Sequence, residues 1–129
     1  MLFIVFFVVV IALGYFISAY YGDPSFLIFA VIFSIGKVLE TRADTESAAT
    51  LGEPGMLAAA LTNIGFRQLY AEKYSRGARF MDWLTFDPHP PIYFRVERLS
   101  KIAASGKAIG NTLAVSIRDC VSGFLDAIL

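Results

Sequence analysis

The chain has 129 residues, 57% hydrophobic and 15% aromatic, with a mean hydropathy of +0.62, a composition too apolar for an ordinary soluble domain of this size. Formal net charge is zero, yet all 11 Lys and Arg lie at or beyond Lys37, and Asp23 is the one charge in the first 36 residues. A balanced total with no basic run argues against nucleic acid as a partner, and a single cysteine, Cys120, excludes an internal disulfide.

Leu2 to Tyr21 is free of charge. As a helix it would be about 30 Å long, the thickness of a bilayer's hydrocarbon core, which predicts a transmembrane helix. A cleaved signal peptide would need a basic start and a shorter apolar core, and neither is present. Gly22-Asp23-Pro24-Ser25 reads as a tight turn, with Asp23 as cap and Pro24 at a first helical position. Ser25 to Leu39 is a second apolar stretch, short for a span unless the helix continues through Glu40. A re-entrant or buried helix is the alternative there. Lys37, near its end, is placed to snorkel to the interface. With no basic residue in the turn, the positive-inside rule puts Met1 and everything after the second stretch in the cytoplasm. The expected location is the cell membrane, with two spans, both termini cytoplasmic and the lipid bilayer as a partner.

The remainder reads as helical. Leu57, Leu61 and Ile64 recur at helical spacing after Pro54, as do Ile92, Val96, Leu99 and Ala103 after Pro90-Pro91. Lys73 to Pro88 reads as a connector whose Tyr74, Phe80, Trp83 and Phe86 pack on protein or headgroups, or form a substrate lid. Ile109, Leu113, Ile117, Val121, Phe124, Leu125 and Ile128 follow a 3.6-residue period opposite Arg118, Asp119, Ser122 and Asp126. That predicts an amphipathic helix capped by Asn111, docked internally, on a membrane surface or on a partner chain. The fold class expected is therefore an all-α membrane protein: a two-helix transmembrane hairpin over 1–39, a cytoplasmic helical domain over 40–104, and an amphipathic C-terminal helix over 105–129.

Candidate chemistry centres on Glu40-Thr41-Arg42-Ala43-Asp44, where the i, i+4 spacing puts both carboxylates on one helical face. Such a pair suits a metal ligand with the carboxylate that supports a neighbouring ligand. Read from the residues alone, Glu40 and Asp44 are more readily a solvated patch, His89 before two prolines a helix-start residue, and Arg95 and Glu97 surface charges. Cys120, at the edge of an apolar face, reads as a structural thiol. Catalytic zinc takes three protein ligands and a water, and H-E-x-x-H, the helix motif that supplies two histidines, does not occur.

Glu40-Thr41-Arg42-Ala43-Asp44, Leu51-Gly52-Glu53-Pro54, Met56 to Leu61, and His89-Pro90-Pro91 with Arg95 and Leu99 occur in an order that resembles the C-terminal half of the HtpX-like membrane zinc metallopeptidases, relatives of the CAAX prenyl endopeptidases. The resemblance covers roughly residues 1–103 and leaves the terminal helix without a counterpart. It implies that Glu40 is the third zinc ligand, that Asp44 orients a ligand histidine, and that His89 and Arg95 border the substrate and the developing oxyanion. It implies an incomplete enzyme, split or truncated and inactive alone, which binds zinc only when another membrane chain supplies H-E-x-x-H. A non-catalytic structural subunit of a larger membrane complex, or a fragment without a role, are the other readings.

Overall fold

The computed structural model describes residues 2–85, 87–106 and 110–129, with the side chains of Leu2, Phe3 and Phe6 left out. Among them are seven helices: α1 (Leu2–Tyr21), α2 (Ser25–Leu51), α3 (Pro54–Ile64), α4 (Phe66–Tyr74), α5 (Arg76–Leu84), α6 (Ile92–Ser105) and α7 (Thr112–Ile128). Punctuation residues set most of their ends. Gly22, Gly52 and Gly106 take the left-handed conformation, open to a residue without Cβ, just past α1, α2 and α6. Pro54 opens α3, where its missing N–H costs nothing. Ser75 caps α5 by accepting from the Ala78 N–H, and Asn111 caps α7 by accepting from the Ala114 N–H.

The expectation of a two-helix transmembrane hairpin is corrected here: among the described residues, no helix is long and apolar enough to cross a membrane. α2 is 27 residues long, but its uncharged stretch ends at Gly36 and its second half carries Lys37, Glu40, Arg42, Asp44 and Glu46. The two-span location in the cell membrane falls with the hairpin. Lys37 does not snorkel either. It is buried, and its ammonium donates to the Thr85 and Asp87 carbonyls at the end of α5.

The connector expected over Lys73 to Pro88 also contains a helix. Arg76–Leu84 forms α5, whose face toward α7 brings in Phe80 and Trp83; Phe86 lies outside the described residues, as does Ile109 of the C-terminal pattern. Aromatic residues there served a helix's buried stripe, which a reading that weighed their number over their spacing misses.

α2 is the spine. Its first half pairs with α1 across the Gly22 turn, and its second half takes α7 on one face and α6 on the next. The α2–α7 contact is built from small residues: Thr41 Oγ1 lies 3.0 Å from Cys120 Sγ, and Thr45 Oγ1 3.4 Å from Ser116 Oγ. Thr41, Thr45 and Ser116 hydroxyls also donate to the carbonyl four residues back, so each stays satisfied while buried. Burial pushes the Cys120 thiol up to about 11, which keeps it neutral and unreactive.

The main core joins Val38, Trp83, Phe94, Cys120, Val121 and Phe124. Trp83 meets Phe94 edge-on at 5.0 Å and Phe124 at 6.1 Å, and its indole N–H donates to Tyr93 Oη at 2.7 Å. These rings close over Gly123, where an added Cβ would lie 2.5 Å from Phe94 and 3.0 Å from Trp83. A smaller cluster of Ala48, Ala58 and Leu99 joins α2, α3 and α6. α1 and the first half of α2 leave Ile4, Val8, Phe16, Ile28, Phe29 and Ile32 exposed, an apolar surface that the described residues do not cover.

Glu72, 1% exposed, accepts from the Tyr93 N–H in the first turn of α6 and lies beside the Asp82 carboxyl. Burial, reinforced by the Asp82 carboxyl, pushes Glu72 up to about 8. The folded chain thus keeps a proton there that an unfolded glutamate releases near pH ~4.3. Stability is fully present below that unfolded value and is lost as pH rises through about 8. Glu72→Gln, which carries no charge, should flatten the thermal midpoint between pH 5 and 9, opening a gap of a few degrees over the parent at the alkaline end. Gly123→Ala should lower stability by about 1–3 kcal/mol in urea unfolding although alanine favours helix, because rigid rings must move.

Candidate functional site

The second half of α2 turns its faces to different tasks. Thr41 and Thr45 point into α7, while Glu40 and Asp44, one position earlier on the spiral, lie toward α6 and the segment before it. Asp44 is held hard. Arg95 of α6 donates from Nε to Oδ2 and from Nη2 to Oδ1, both at 2.7 Å, with the side chains 16% and 8% exposed. Hydrogen bonding to Asp44 holds Arg95 above its ordinary range despite partial burial.

Glu40 has no such clamp. Its Oε2 lies 3.4 Å from His89 Nδ1 and 3.8 Å from Arg95 Nη2, and the side chain is 38% exposed beside a 57% exposed imidazole. The four residues singled out in the sequence thus converge on one patch from two regions about fifty residues apart. Glu40 and His89 form its solvent-facing edge, and Asp44 and Arg95 its buried base.

Neighbours missed in the sequence put His89 there. Gly36 lets the backbone before α6 come close, since a Cβ on it would sit 2.8 Å from Pro88 Cβ. Lys37 ties down the Thr85 and Asp87 carbonyls, and the Asp87 side chain accepts from the His89 N–H at 2.8 Å. Burial depresses Lys37, opposed by the Asp87 charge. A lysine one turn before Glu40, at the end of an uncharged run, was the sequence signal for this anchor. Arg98 had none: one turn after Arg95, it donates from Nε to Asp119 of α7 at 2.8 Å and from Nη1 to the Thr41 carbonyl at 3.3 Å, tying three helices.

The patch offers one available carboxylate and one imidazole, both oxygens of Asp44 being engaged by Arg95, and among the described residues no group of three or more His, Cys, Asp or Glu is placed to hold a metal ion. Comparison with protein families, curated proteins and solved structures finds no match for this chain.

Removing the Asp44 carboxylate strands a largely buried guanidinium, so Asp44→Ala should cost about 3–5 kcal/mol in urea unfolding. Glu40→Ala, on the exposed edge, should cost no more than about 1 kcal/mol. The two carboxylates share a helix face and a partner arginine, so a difference of this size isolates the structural member of the pair from the available one.

Proposed function

We propose that this chain supplies the acidic half of an HtpX-like zinc metalloendopeptidase site and is inactive until an H-E-x-x-H segment, absent from these 129 residues, is brought to it. The observation that carries this reading is the division of labour between Glu40 and Asp44. Two carboxylates one turn apart, alike in sequence, differ in availability: one is locked by a bidentate arginine and the other faces outward beside His89. A structural ion-pair cluster needs the first and gains little from the second, whereas a site awaiting another segment needs a carboxylate held in place with its oxygens uncommitted. Glu40 is the residue that would face an incoming ligand pair, Arg95 and Asp44 fix the helix that presents it, and His89 borders the opening.

A non-catalytic structural subunit is the second reading, favoured by the uncovered apolar face of α1 and α2. The two readings differ in what Glu40 does. The test is metal content of the protein isolated from its own cells with associated polypeptides retained, for the parent and Glu40→Ala. Near one zinc per chain, falling at least about tenfold in the variant while the same polypeptides remain associated, supports the half-site. Zinc in neither, or zinc unaffected by the substitution, overturns it in favour of the structural subunit.

A further inference from the structure

Away from the Glu40 patch, α6 and α7 diverge to leave a cleft of about 480 Å³, within the size range of sites for small organic ligands. Arg98 lies in its wall and is 93% buried, being 7% exposed. Two of its three nitrogens have partners, Nε on Asp119 and Nη1 on the Thr41 carbonyl. The third, Nη2, is buried and makes no hydrogen bond. A buried charged donor without a partner is costly, and folded chains rarely leave one.

The rest of the lining has the sign to correct this. Arg79, Lys101 and Arg118 bring the cations to four, against Glu97, Asp119 and Asp126. Asp119 accepts from Arg98 and Arg118, and Glu97 pairs with Lys101 at 2.8 Å; the Lys101 pair and the Arg118 side chain are exposed, so an incoming anion can compete for these two cations. Tyr93, Ile102, Val115 and Ala127 supply an apolar side that a bare ion would not use. We propose that this cleft binds a small organic molecule with an oxyanion head, phosphate or carboxylate, seated against Arg98 and held by Lys101 and Arg118. Because Nη2 has no exposed surface, the head group reaches it only as the wall between α6 and α7 opens. None of Glu40, Asp44, His89 and Arg95 lines the cleft, so its ligand is independent of any metal at the other patch.

The probes are phenyl phosphate, benzoate and inorganic phosphate, titrated into the full chain and followed by amide resonances of α6 and α7 at low ionic strength. Phenyl phosphate or benzoate should saturate near or below about 1 mM, the tighter of the two identifying the head group, with inorganic phosphate roughly tenfold weaker for lack of a body. Arg98→Lys keeps the charge but removes Nη2 and should weaken binding about tenfold. The exposed double variant Lys101→Gln, Arg118→Gln, which spares the buried arginine, should do likewise if Arg98→Lys does not fold. Binding that fails to saturate by about 10 mM, that is no tighter for the organic probes than for phosphate, or that is unchanged in the double variant overturns the proposal.

Discussion

The bidentate ion pair between Arg95 and Asp44 is the constraint that the arrangement of the second half of the chain depends on. It joins helices about fifty residues apart in sequence at one turn of each, and Arg98, a turn further along α6, continues the seam to the Thr41 carbonyl and to Asp119 of α7. Hydrophobic contact holds α6 at two places, Phe94 in the main core with Val38, and Leu99 against Ala48 and Ala58, but non-directional contact discriminates poorly between neighbouring registers. Buried ion pairs contribute modestly to net stability, yet they discriminate strongly between registers, since every wrong register leaves two charges unpaired. Two arginines three positions apart, each with a fixed fork geometry, set both rotation and height.

The α2–α7 seam works in the complementary way. Thr41, Thr45, Ser116 and Cys120 are small enough to let two backbones approach, and the three hydroxyls satisfy themselves within their own helices. The seam therefore demands little of its partner helix beyond shape. Selectivity sits with α6, close packing with α7, and the aromatic group around Gly123 locks α5 and α6 onto α7 once both are in place.

Much of this was legible in the sequence, but unevenly. Helix starts at Pro54, Asn111 and the residues after Pro91 follow from local chemistry that acts within a few residues, and the period gave Val121 and Phe124 of the buried face of α7, though Leu113 and Ile128 of the same period are exposed and Ser116 and Cys120 are buried in their place. The spacing of Glu40 and Asp44 fixed their common face. What spacing could not give is which of two equivalent carboxylates Arg95 would take, since that depends on where α6 lands. Lys37 shows the same limit: its position at the edge of an apolar run fits an interface lysine and a lysine that caps another helix's carbonyls equally, and only the location of α5 decides. The membrane hairpin failed for a related reason. Hydropathy measures transfer from water without naming the acceptor, and α2 commits its charged half to packing with α6 and α7.

Arg98 and Glu40 are unfinished in different ways. Arg98 Nη2 is a buried charged donor without a hydrogen bond although Nε and Nη1 have theirs, a deficit in the folded chain that a small anion would remove. Glu40 is the reverse: its exposed carboxylate costs the fold little, because water and His89 serve it well, so stability alone gives no reason for its place on the clamped face. The clamp beneath it holds its backbone rigid while leaving its oxygens available. Rigid support under an uncommitted acceptor is what a ligand-bearing position requires, and in this chain the same helix turn that fixes α6 provides it.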